Sequence, residues 1–147
     1  MTKQELIDRL VAAVDAGAMS FQINKIINEY NVANYRPDGY KEIVKLYACE
    51  AYNISPADFN KETSKQKYVN ARSLYCHILS RKVSNGKRVY PDKELANDIY
   101  RDRSSVYIKL RKLDGWLGFD PAYTSIYNAT VSKIKNHIDK IKQDEKQ

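Results

Sequence analysis

The run Leu95-Ala96-Asn97-Asp98-Ile99-Tyr100-Arg101-Asp102-Arg103-Ser104-Ser105-Val106 gathers two aspartates, two arginines and two serines in a short span. Guanidinium groups are forked donors that match phosphate oxygens and the guanine edge. Serines are small enough to let the backbone approach either. The chemistry these groups offer is recognition of an anionic surface. A catalytic alternative has less material. Asp98 and Asp102 are four apart and could share a metal, but aspartate at a turn serves equally as a cap. His77 and His137 fall in separate helical stretches and read as structural. Nucleophile-elbow, zinc and nucleotide-loop patterns are absent. The expectation is a non-enzyme with no catalytic residue, cofactor or metal.

The same run also shows how its groups would be held: a short helix, a tight polar turn, and a second helix beginning with the charged and hydroxyl side chains. Val106, Leu110 and Leu113 recur at helical spacing and would seat that second helix on a core. In a helix-turn-helix, the N-terminal residues of the second helix meet base edges in the major groove. The plainer alternative is an amphipathic helix with a solvated basic face.

Charge distribution favours the first reading. Residues 1–60 carry 6 basic and 8 acidic side chains, residues 61–115 carry 14 and 6, and residues 116–147 carry 5 and 4. The excess therefore lies in the central block, which contains the motif. Such a block attracts phosphate over about a Debye length, roughly 8 Å at physiological salt. No segment pairs a basic face with the aromatic and leucine face of a membrane-surface helix.

With 147 residues the chain suits one helical domain, 1–147, able to bury a core. Its 43% apolar share excludes wholesale disorder, and five glycines with four prolines disfavour a turn-rich β fold. The start, Met1 to Glu5, has no signal-peptide pattern, and no apolar run reaches a membrane span. Cys49 and Cys76 are expected as buried thiols in a reducing compartment. The expected location is cytoplasmic, and nucleoid-associated if DNA is bound.

The pattern predicts a helical pair within 1–35. Leu6, Ile7, Leu10, Val11 and Val14 line the first helix, which stops near Gly17. Ser20 caps the second, which carries Phe21, Ile23, Ile26, Ile27 and Tyr30. This pair could be core, a dimerisation unit or a docking surface. Asn31 to Pro37 reads as a connection, and Asp38 opens a helix-turn-helix core spanning 38–115. Asn85-Gly86 between short β-prone flanks predicts a very short hairpin near 83–90, or an exposed loop. Gly115 and Gly118 are expected to end the second helix of the motif. Asp120-Pro121 starts a C-terminal helix over 120–143, with Tyr123, Ile126, Tyr127, Val131, Ile134, Ile138 and Ile141 on one side. That helix could pack on the domain or form a dimer contact. Tyr47, Tyr52, Tyr75 and Tyr107 are expected in the core; Tyr68, Tyr90 and Tyr100 interleave with the basic block and could reach phosphates or bases.

Residues 42–113 resemble the C-terminal DNA-binding domain of the bacterial replication initiator DnaA, in the Trp-repressor-like group. Tyr52-Asn53-Ile54 followed by Asp58 matches the family's first helix end. Lys65 to Leu74, with Ala71-Arg72-Ser73-Leu74, stands at its basic loop and following helix. Arg101-Asp102-Arg103-Ser104-Ser105-Val106 resembles its Arg-Asp-His-Thr-Thr-Val run. Tyr100 stands where the family has Gly-Gly, with one residue fewer, and Arg103 replaces a histidine. The family's ATP-binding module has no counterpart here. The resemblance implies that Asp102, Arg103, Ser104 and Ser105 contact bases or adjacent phosphates, and that Lys65, Lys67 and Arg72 hold the backbone or the neighbouring minor groove. Arg101 and Lys109 complete the expected DNA-binding set.

Taken together, the sequence predicts an all-α fold of six or seven helices around a helix-turn-helix. The expected partner is double-stranded DNA, with a homodimer or another protein as a further partner and no membrane. The role would be regulatory or replication-associated. The alternative is a structural or interaction protein, of phage or mobile-element kind, that reuses the fold for protein contacts.

Overall fold

The computed structural model describes residues 2–20, 22–27, 39–63 and 65–145. Tyr30, the Asn31 to Pro37 connection and the Asp38 helix start lie outside them. Among the described residues the fold is all-α, apart from one hairpin of two-residue strands. Its helices are α1 (Lys3–Asp15), α2 (22–27), α3 (Tyr40–Ala51), α4 (Gln66–Ser80), α5 (Asp92–Asp98), α6 (Arg103–Trp116) and α7 (Pro121–Glu145), with a 3-10 turn at Pro56–Asp58. The chain divides into two compact units, residues 1–71 and 72–147, with the division inside α4.

In the first unit, α1 starts with a capping box: the Glu5 N–H donates to Thr2 Oγ1 at 3.1 Å, and the Thr2 N–H to Glu5. No residue of α1 is buried. Ile7, Val11 and Val14 of its apolar stripe are instead 43%, 55% and 59% exposed. The buried residues come from α3 (Val44, Ala48 and Cys49 among them), from Ile54 and Phe59 after it, and from Tyr68 and Ala71 on α4. Asn53 ends α3 in the left-handed conformation, φ 57°. The Asn53 N–H reaches the Glu50 carbonyl and the Ile54 N–H the Cys49 carbonyl, a Schellman closure that turns Ile54 inward.

In the second unit, Leu74, His77 and Leu79 of α4 are fully buried, as are Leu95 of α5 and nearly so Val106, Leu110 and Leu113 of α6. The three α6 side chains contribute about 1.5–3 kcal/mol each by leaving water, enough to hold the helix on its inner face. Helix α5 packs on α6. The hairpin pairs Val83 with Arg88 and Ser84 with Lys87. Asn85 and Gly86 both take positive φ, the tight-turn geometry that an Asn-Gly pair favours. Helix α6 runs through Gly115; the chain turns at Gly118, where φ is +93°. Asp120 then accepts the Tyr123 N–H and opens α7. The buried line of α7 is Tyr123, Tyr127, Thr130 and Ile134. Val131, expected on that line, is 37% exposed, because the helix turns it away from the positions that 3.6-residue spacing aligns.

One buried network fastens this unit. His77 on α4 meets the Tyr123 hydroxyl of α7 through Nδ1 and Asp114 Oδ1 of α6 through Nε2 at 2.7 Å. The ring also lies against Tyr127, centroids 5.1 Å apart. Burial holds the His77 pKa below its ordinary value, against the opposing pull of Asp114. Both cysteines are buried thiols, and burial pushes each up to about 12. Among the described residues, no helix is long and apolar enough to cross a membrane, and no group of His, Cys, Asp or Glu is placed to hold a metal.

Candidate functional site

Helices α5 and α6 are joined by Ile99 to Asp102, and the path of this turn decides what α6 presents. The Tyr100 N–H donates to the Asn97 carbonyl at 3.3 Å and the Arg101 N–H to the Ala96 carbonyl at 3.0 Å, a second Schellman closure. Its left-handed position is Tyr100, φ 55°. Glycine or asparagine adopts this conformation readily; in a tyrosine it stores roughly 1–2 kcal/mol. The Tyr100 side chain points outward, 74% exposed. Burial of the α6 inner face outweighs that cost.

The next residue to shape the site is Asp102. Its Oδ1 accepts the Ser105 N–H and its Oδ2 the Ser105 hydroxyl, both at 2.8 Å. These bonds lower the Asp102 pKa and hold the carboxylate at the start of α6. Asp102 and Ser105 thus satisfy each other, and their role is to form the helix N-terminus. Arg101, Arg103 and Ser104 are exposed around it. Arg101 donates to the Tyr100 carbonyl at 3.1 Å. Among the described residues, neither Arg101 nor Arg103 is in an ion pair. The acids close in sequence are engaged elsewhere: Asp98 accepts the Tyr75 hydroxyl at 2.8 Å, and Asp102 holds Ser105.

The outer face of α6 continues through Tyr107 and Ile108, four residues on from Arg103 and Ser104, to Arg111, four residues beyond Tyr107. Tyr107 was expected in the core but is 47% exposed, because the inward positions of this helix are those of Val106, Leu110 and Leu113. Arg111 donates to the Tyr107 hydroxyl at 2.8 Å and lies over its ring. Lys109 is half-buried on another side, its ammonium 5.8 Å from the centre of the Trp116 ring, and burial lowers its pKa.

Two groups of the expected set stand apart. Arg72 is only 4% exposed, its pKa lowered by burial and then by Arg101, so its guanidinium offers no open surface. A charge pattern gives no warning of this, because exposure depends on packing. Lys65 and Lys67 belong to the first unit, where Lys67 and Lys61 both approach the ring of buried Tyr68. Position alone could have found Tyr107 and Arg111, which share helical spacing with Arg103.

No protein-family model matches this chain, and neither a curated protein nor a solved structure matches it.

Proposed function

We propose that the protein is a non-catalytic double-stranded DNA-binding protein that lays α6 in the major groove as the second helix of a helix-turn-helix. The observation that carries this reading is the exposed N-terminal turn of α6. There, Arg103 and Ser104 stand beside Arg101 and Tyr100 while the opposite face is buried. Arg103 and Ser104 read base edges, and Arg101, Tyr107 and Arg111 contact flanking phosphates. The resemblance of residues 42–113 to the DnaA C-terminal domain points the same way and suggests a regulatory or replication-associated role.

The test is duplex affinity across a salt series, after selection of a preferred site from random DNA. Affinity should fall steeply with salt as counterions are released. Arg103→Ala should cost about 1–3 kcal/mol on the selected site and much less on unrelated duplex. Absence of duplex binding, or an unchanged preference in that variant, refutes the proposal.

A second reading is favoured by α1, whose apolar stripe is exposed. On that reading the protein is a structural or interaction module of phage or mobile-element kind, and binds another protein through this helix.

A further inference from the structure

We infer that the second unit holds a binding site for a phosphate group, in a recess between the end of α4, the hairpin and α6. The recess has a volume of about 190 Å3 and is lined by Ser80 at the end of α4, Arg81 just after it, Arg88 of the hairpin, and Tyr107, Arg111 and Asp114 of α6, over Leu110. Pockets for drug-sized ligands measure about 300–1,000 Å3, so this smaller space suits a compact anionic group rather than a whole cofactor. Three guanidinium groups converge here against two carboxylates, Asp114 beside Arg81 and Asp92 beside Arg88, so one positive charge is left in excess, the sign an anionic phosphate group requires. The forked donors of arginine suit its oxygens.

Each arginine is anchored by the protein itself. Arg111 donates to the Tyr107 hydroxyl at 2.8 Å. Arg88 Nε donates to the Ser80 carbonyl at 3.1 Å, and its Nη2 lies 2.8 Å from Asp92 Oδ1, close as an ion pair though not aligned as a hydrogen bond. Arg81 stands 3.5 Å from Asp114 as an ion pair. A guanidinium has five N–H donors, so each keeps donors for a ligand while its direction is already set. Preorganisation of this kind lowers the entropic cost of binding. Asp114 takes part in holding Arg81 and His77, and it works against a bound anion.

The phosphate could belong to a small phosphorylated molecule or to a DNA strand lying along α6. The site itself does not depend on the DNA-binding proposal. Calorimetry with inorganic phosphate on the full chain, with acetate and chloride at equal ionic strength as controls, tests it. Saturable binding of phosphate alone is expected, weakened about tenfold by Arg111→Gln, the loss of one charge-assisted contact. Lys140→Gln, an exposed charge on α7, should leave it unchanged, and Asp114→Asn should tighten it. Far-ultraviolet circular dichroism establishes that each variant is folded. Adding duplex DNA identifies the source: competition with phosphate marks a strand phosphate, and independent binding marks a separate small ligand. Phosphate bound no better than acetate, or Lys140→Gln as damaging as Arg111→Gln, overturns the inference. A chain that binds phosphate but no duplex would keep this site and end the proposed function.

Discussion

His77 Nε2 stands 2.7 Å from Asp114 Oδ1, with the imidazole fully buried and Asp114 half-exposed. An ionised carboxylate can only accept, so Nε2 carries the ring proton and Nδ1 accepts from the Tyr123 hydroxyl. One side chain thereby satisfies both of its polar atoms and joins α4, α6 and α7.

Removing the acceptor should therefore be costly. Asp114→Ala leaves a buried N–H without its partner and should lower the unfolding free energy by about 1–3 kcal/mol. Urea denaturation measures this directly; a midpoint equal to wild type would mean that the bond contributes nothing.

Stability should also depend on pH through His77. Burial places its native pKa below the unfolded value of 6.5. Between those two values the unfolded chain binds the additional proton, so the unfolding free energy rises with pH. The contribution is complete above about pH 6.5 and is lost progressively as the pH falls below it. Denaturation midpoints compared near neutral pH and in mild acid should show this slope, and His77→Gln should flatten it. An equal slope in the variant would assign the dependence to other groups.

Tyr100 occupies the left-handed position of its turn, where glycine carries no steric cost. Tyr100→Gly should relieve roughly 1–2 kcal/mol of strain and lose about 0.5–1 kcal/mol to chain entropy, leaving the protein up to about 1.5 kcal/mol more stable. Thermal unfolding would reveal it. A clear loss of stability would show that the tyrosine ring makes contacts worth more than the strain.

Asp102→Ala should fray the start of α6 by removing the acceptor of two Ser105 bonds, whereas Asp102→Asn should retain most of the cap. Amide hydrogen exchange at Ser105 is the readout. Equal protection in both variants would remove the capping role from Asp102.

The three Schellman closures show where sequence reading works and where it stops. Gly17, Asn53 and Tyr100 all take positive φ at the same position after a helix. Glycine announces such an end, and asparagine permits it. Nothing in a tyrosine does, because its conformation here is imposed by the packing of α5 on α6. The same limit explains Arg72. Its charge was legible within a basic block, but its burial was not.

Local chemistry alone therefore indicated the described helices and the Asn-Gly turn, since each depends on hydrogen bonds and apolar spacing within a few residues. It did not indicate every cap: Ser20, expected to cap the second helix, is itself helical, and Met19 precedes it with its N–H on the Gln22 side chain. Local chemistry also marked Arg101, Arg103 and Ser104 as the exposed opening of α6. Tertiary packing decided which cations remained available, and it brought Arg81, Arg88 and Arg111 to one recess. That convergence joins residues from three separate elements, and only the burial of the non-local core fixes their distance.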